Sequence, residues 1–210
     1  MKSKESKTAI DSTTEEKIRI AARKVFTQKG YGAARTRDIA QEAGINIALL
    51  NYYFRSKEKL FEIIMLESMQ GFIQSISGIL NDEQTSLQEK IQILVSNYID
   101  MLTIQPNLPL FVLSELRSNP QELILKLNFK EKLIHSHFFV QLQQAIQEGK
   151  IPPFHPIHFI MNIMGMIIFP FVGSPILKNI GDLEEKTFNE LMEQRKILIP
   201  KWIEAMMNVK

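Results

Sequence analysis

Apolar positions recur at helical spacing from the first twenty residues on. Ile18, Ala21, Ala22, Val25 and Phe26 stand at i, i+3, i+4, i+7 and i+8, which draws one stripe along a helix. Thr13 and Glu16 have capping-box spacing ahead of that stripe, and Gly30 supplies a C-terminal stop. Met1 to Thr8 is Lys- and Ser-rich and reads as a mobile tail. Thr36 is placed to cap a short second helix, with Asp38 in the first turn favoured by the helix dipole. Ile39, Ala40 and Ala43 give that helix its inner face, and Gly44 ends it. Asn46 caps a third helix with the stripe Leu49, Leu50, Tyr53 and Phe54. Ser56 caps a fourth, whose first inner residues are Leu60, Phe61, Ile64 and Met65.

Beyond residue 60 no run alternates with period 2, so no strand is predicted. Helices are expected over 56–80, 86–104, 108–117, 120–148, 156–172 and 184–208. They are punctuated by Asn81-Asp82, Pro106 to Pro109, Asn119-Pro120, Gly149 to Pro156 and Gly173 to Gly181. Pro200 should kink or divide the last one. The expected fold is all-α with about nine helices: an N-terminal head over 1–60 and a helical body over 61–210. The longest apolar stretch, Phe159 to Val172, is interrupted by Asn162, Gly165 and Pro170 and is too short to span a bilayer. The polar N-terminus carries no apolar signal core. The expectation is a cytoplasmic protein without a membrane partner.

Composition and charge sharpen this picture. Hydrophobic residues make up 45% and charged residues 23% of the 210, which excludes wholesale disorder. Cysteine is absent, excluding disulfides, thiolate metal sites and cysteine nucleophiles. The net charge of +2 hides an asymmetry. Residues 1–60 hold 13 Lys+Arg against 7 Asp+Glu, and residues 61–210 hold 12 against 16. A basic head on a mildly acidic body fits a polyanion partner, or simply a solvated charged face.

The second and third helices, joined by Gly44-Ile45-Asn46, make a helix-turn-helix. Such a unit sets its second helix in the DNA major groove with N-terminal residues toward base edges. The run Thr36-Arg37-Asp38-Ile39-Ala40-Gln41-Glu42-Ala43-Gly44-Ile45-Asn46, followed by Asn51-Tyr52-Tyr53-Phe54-Arg55-Ser56-Lys57-Glu58-Lys59-Leu60, resembles the TetR family of bacterial transcriptional regulators. The resemblance extends from about Ile18 to Phe61.

The resemblance implies a homodimer that binds double-stranded DNA at a palindromic operator. Its body would hold a small-molecule effector pocket and the dimer interface. Thr36 matches a hydroxyl on phosphate, Tyr52 an aromatic at the phosphate backbone, and Lys57 a phosphate-binding lysine. Independently, a lysine in a first helical turn opposes the dipole, and a phosphate there would be favoured by both the lysine and the free N–H groups; a solvated lysine is the plain alternative. Where many members have Ser-Lys-Gly-Thr-Leu-Tyr, this chain has Asn46-Ile47-Ala48-Leu49-Leu50-Asn51. Ile47 can pack on a thymine methyl or merely pack, and Asn51 can pair with adenine or bond a phosphate. Ala48 lies between them, and Arg35 and Arg37 are phosphate candidates.

The body is rich in Met and Phe, which suit an adaptable apolar cavity or a plain core. A pocket is expected on the strength of the resemblance, with Met65, Met69, Met101, Phe111, Phe138, Asn162, Gly165 and Met166 as its candidates. The last two helices are the expected dimer surface, through Phe159, Ile163, Ile199, Trp202, Ile203 and Met206. The four histidines lack i, i+4 spacing, so no metal is expected. No catalytic constellation and no cofactor motif is found. The expected function is a sequence-specific, ligand-responsive regulator, a repressor released by an apolar effector. Its two heads would grip DNA when spaced ~34–36 Å apart. A helical interaction module that has lost DNA binding is the competing reading.

Overall fold

The predicted first stripe is buried in full. The computed structural model describes residues 2–208, with side chains from Thr13 on apart from Phe129. In α1 (Lys2–Ala33), Ile18, Ala21, Ala22, Val25 and Phe26 are all buried. The helix starts at Lys2, well before Thr13, so residues 2–8 of the segment read as a tail are helical; its lysines and glutamate are good helix formers. Gly30, at φ 70° and ψ 166°, interrupts the helical run where the stop was predicted, in a region that a Cβ disfavours. α2 (Thr36–Glu42) and α3 (Ile47–Phe54) follow, joined through Gly44 at φ 68°. α4 (Lys57–Asn81) starts on Ser56, whose Oγ accepts from the Lys59 N–H at 3.1 Å.

Ile39, Leu50, Leu60 and Ile64 lock onto the α1 stripe as the core of the first compact unit, which runs to Met69. Polar contacts tie α1 to α4 within it. Glu67 takes Arg19 at 2.6 Å and Arg23 at 3.0 Å, and Arg23 also donates to Ser68 Oγ at 2.7 Å. Part-buried arginine–carboxylate bonds of this kind are stronger than neutral ones and fix geometry.

The second unit begins at Gln70. It contains the rest of α4 with α5 (Leu87–Ile104), α6 (Leu108–Ser118), α7 (Pro120–Leu127), α8 (Phe129–Ile134), α9 (His137–Gln147), α10 (Pro156–Val172), α11 (Ser174–Ile180) and α12 (Glu185–Met207). α5 is its centre: α9, α10 and α12 all pack on it. Its buried stripe is Ile91, Val95, Tyr98, Ile99 and Leu102, met by Phe188, Met192, Ile199 and Ile203 of α12. Each such side chain contributes ~1.5–3 kcal/mol of burial. The turn before α5 is closed by Lys90, which is 0% exposed. Its ammonium donates to the Asp82 carbonyl, the Thr85 carbonyl and Thr85 Oγ1, so all three N–H groups are used.

Three expectations change. The helix expected over 120–148 is α7, α8 and α9, because Asn128 takes a left-handed conformation and Ser136 caps a new start. The segment between Gly173 and Gly181 is helical, with Pro175 in the first turn of α11, where its missing N–H costs nothing. Pro200 sits inside α12 without ending it. Among the described residues there are twelve helices and no strand. The fold is all-α, a helix-turn-helix head followed by a helical body. Among the described residues α4 is the one helix long and apolar enough to cross a membrane, and α10 with α11 would be only if taken together across their 71° bend; α4, however, buries Leu60, Ile64, Ile73, Ile76 and Leu80 and carries five charges by Glu67.

Candidate nucleic-acid interface

The third helix has two faces with different fates. Leu50 and Phe54 point into the head core, while Ile47, Ala48, Asn51 and Tyr52 are exposed. Positions 47, 48, 51 and 52 are neighbours on a helix surface, so they form one outward patch. Tyr52 is 75% exposed, its ring edge-on to Tyr53 at 5.3 Å. Asn46 caps α3 as expected, its Oδ1 accepting the Leu49 N–H at 2.8 Å. That leaves its amide NH2 to donate outward.

Thr36 does not cap α2. The preceding residue, Arg35, occupies the cap position, and its backbone N–H donates to Asp38 Oδ2 at 3.1 Å. Asp38 therefore closes the helix start from within, and Thr36 becomes the first helical residue. Lys29, 3.0 Å away, and then the Arg35 N–H hold the Asp38 carboxyl below its usual range. A carboxyl depressed in the folded state supports the fold at neutral pH and loses that support as pH falls through its folded pKa. The start of α2 thus loosens in acid. Arg35 and Arg37 are exposed on this end of the unit.

At the junction of α3 and α4 sits a further exposed residue, one that the sequence pattern does not mark. Arg55 has φ 58° and ψ −43°, and the Ser56 N–H donates back to the Phe54 carbonyl at 2.6 Å. This is a γ-turn with positive φ, a rare and strained conformation for a residue with a Cβ. It is imposed from both sides, since Phe54 must enter the core and Ser56 must cap α4. Arg55→Gly is expected to stabilise the head by about 1 kcal/mol, read as a higher unfolding midpoint without DNA. An unchanged or lower midpoint would mean that the turn carries no strain. Positive φ at a non-glycine leaves no mark in composition or periodicity, so the sequence carries no signal for Arg55.

Lys57 is in the first turn of α4, as predicted, but its ammonium is engaged inside the head. It donates to the Tyr31 and Ala34 carbonyls at 3.0 and 3.2 Å. One N–H of three remains for a phosphate.

Comparison with known proteins decides the affiliation. Residues 18–64 match the sequence profile described as "Bacterial regulatory proteins, tetR family". The head belongs to the TetR family. Among curated relatives, the chain is 28% identical over 167 residues to the "Probable HTH-type transcriptional regulator YttP" of Bacillus subtilis, covering 76% of this chain and 78% of that one. It is 28% identical over 131 residues to the "Fatty acid metabolism regulator protein" of the same organism, covering 62% and 67%. Among solved structures, FadR of Bacillus subtilis in complex with stearoyl-CoA superposes with a TM-score of 0.55 at 23% identity, covering 88% of this chain and 96% of that one. The fold is therefore shared across head and body. The protein is a DNA-binding transcriptional regulator.

In the body, several expected placements are corrected. Phe159, Ile163, Ile199 and Ile203, expected at a dimer surface, are buried within their own subunit against α5 and its neighbours. Trp202 stays outward, with the Arg195 guanidinium 5.2 Å from its ring, and Met206 is half-buried. Asn162 and Gly165, expected in a pocket, are exposed. Asn162 donates to Met206 Sδ at 2.8 Å, and a Cβ on Gly165 would meet open space. Phe111 and Phe138 are buried, Phe138 against Phe159 at 5.6 Å between ring centres. Met101 and Met166 are half-buried. Met65 and Met69 belong to the first unit, where Met65 is buried and Met69 half-buried. The histidines have local roles: His135 lies 3.1 Å from Glu131, and His155 Nδ1 accepts the Ile157 N–H at the start of α10.

Proposed function

We propose that this regulator is a homodimeric repressor that binds a palindromic operator and leaves it when a long acyl compound occupies the body. The observation that carries the DNA part is the outward patch of α3. Ile47, Ala48, Asn51 and Tyr52 are held out by the buried Leu50 and Phe54. Ile47 and Asn51 read bases, the first through a thymine methyl and the second through adenine. Arg35, Thr36, Arg37, Asn46, Tyr52 and Arg55 meet phosphates around them. An uncharged reading patch ringed by cations suits the division between base contacts that specify and phosphate contacts that position. The basic balance of residues 1–60 supplies the attraction.

Self-association uses the outer faces of α10 and α12. Met161 and Phe169 of α10 and Leu198 and Trp202 of α12 are exposed. The two helices pack together, with the Arg195 guanidinium donating to the Met166 carbonyl at 2.7 Å and Asn162 reaching Met206. Apolar area of this kind on neighbouring helices calls for a symmetric partner.

The effector is proposed to be a long-chain acyl-CoA or a related amphipathic acyl compound, held in the body among Met101, Phe111, Phe138 and Met166. The support is chemical and comparative. These side chains suit an alkyl chain, one relative regulates fatty acid metabolism, and the FadR structure holds stearoyl-CoA. The effector must bind the DNA-free form more tightly to shift the population. Stearoyl-CoA is expected to raise the unfolding midpoint and to weaken operator binding by about 5- to 150-fold; operator DNA should weaken its binding by the same factor. Thermal shift followed by DNA titration tests this. A long acyl-CoA that stabilises the protein yet leaves DNA affinity unchanged would remove the release mechanism. Acetyl-CoA acting as strongly as stearoyl-CoA would remove the acyl chain from it.

A further inference from the structure

The Lys57 ammonium folds back onto the chain instead of extending from α4. It donates to the Tyr31 carbonyl at 3.0 Å and the Ala34 carbonyl at 3.2 Å, and it lies 4.2 Å from the centre of the Tyr31 ring. The Tyr31 ring packs on Phe61 at 4.6 Å, and its hydroxyl donates to Glu58 at 3.0 Å. Burial first, and then that bond, push the Tyr31 phenol up. Three residues in the first turns of α4 therefore hold one residue of the last turn of α1, just past the Gly30 break.

The segment from that break into α2 is short. It starts at the Gly30 break, passes through the buried Ala34, and reaches Arg35, the cap of α2. Its end fixes where α2 begins. We infer that Lys57 is a positioning residue, which clamps residues 31–34 to the first turn of α4 and so sets where Arg35, Thr36 and Arg37 stand against DNA. The inference rests on the DNA-binding reading above and adds to it a route from α4 to the start of α2. A cation donating to two carbonyls makes charge-assisted bonds, stronger than neutral ones. The two carbonyl oxygens also offset the cost of a lysine at a helix N-terminus. Any displacement of the first turn of α4 is carried to α2 through these bonds.

The test begins with the DNA-free, full-length protein, where no phosphate contact exists to be lost. Lys57→Met is expected to speed hydrogen exchange at the amides of residues 34–38 about tenfold, the weight of one charged hydrogen bond, while α3 exchanges at the wild-type rate. Wild-type exchange over 34–38 overturns the clamp, whether or not the protein binds DNA. The second variant, Tyr31→Leu, removes the ring and its hydroxyl but no cation. It is expected to weaken DNA binding about tenfold at an unchanged salt slope, and its loss should not add to that of Lys57→Met. Normal DNA affinity in Tyr31→Leu, or strictly additive losses, leaves Lys57 as a phosphate contact only and overturns the proposal. Should Lys57→Met unfold the head, Tyr31→Leu still decides. Failure of the wild type to bind DNA would sink the DNA-contact reading and leave the exchange result standing.

Discussion

Leu198→Asp/Trp202→Asp is expected to give monomers that keep their helical content, whereas Ile199→Asp should unfold the body. The substituted positions are adjacent on one helix and differ only in the direction they face. Ile199 is 0% exposed, and Trp202 is 42% exposed. A carboxylate at 199 would enter an apolar core with no partner, at a cost of more than about 4 kcal/mol. The pair at 198 and 202 stays in water in the monomer and is buried only on pairing, where four carboxylates would gather about the symmetry axis. Operator affinity should fall about a thousandfold or more toward the non-specific level, because one head engages one half-site. Sedimentation, circular dichroism and DNA titration read the three effects. A Leu198→Asp/Trp202→Asp protein that remains dimeric would move the interface off α12.

The second large effect is expected at Lys90. Lys90→Met keeps most of the aliphatic stem and deletes the ammonium, leaving Asp82 and Thr85 oxygens short of a donor. The Thr85 carbonyl retains the Gln141 amide at 3.0 Å, so the loss is less than three full bonds. We expect the body to lose about 2–3 kcal/mol, which lowers its melting midpoint by ~5–10 °C. Thermal unfolding followed by circular dichroism measures it. A shift within experimental error would mean that water replaces the ammonium without cost.

How much of this was legible in the sequence depends on how local the deciding interaction is. The α1 stripe, the caps at Asn46 and Ser56 and the glycine turn at Gly44 rest on residues a few positions from the next, and the structure has them where the pattern puts them. The start of α2 was misplaced by one residue because Asp38 bonds the backbone of Arg35, which a list of preferred cap side chains does not register. Asn128 and Ser136 were passed over because apolar residues continue on both sides of them. Four of the six residues expected at a dimer surface, Phe159, Ile163, Ile199 and Ile203, are buried within their own subunit. α10 is apolar nearly all round, so periodicity does not say which side meets α5; only the packed neighbours do. Gly165 and Asn162 misled for the same reason: interruptions in an apolar run read as pocket polarity when they lie on the outer face. The Lys57 clamp joins positions 26 residues apart, beyond the reach of pattern.

The pairing of α5 with α12 also governs the order in which the protein can be made. The first unit is complete by Met69, from segments that are neighbours in sequence. By contrast, 80 residues separate the end of α5 from the start of α12. At synthesis rates of about 5–20 residues per second, the apolar side of α5 waits several seconds for the helix that covers most of it. The head can fold on the ribosome while the body is still an open layer, with Val95, Ile99 and Leu102 accessible to chaperones or to another nascent chain. Protease treatment of stalled nascent chains should find residues 13–69 resistant well before α5, and α5 resistant only once residues past Ile203 have left the exit tunnel.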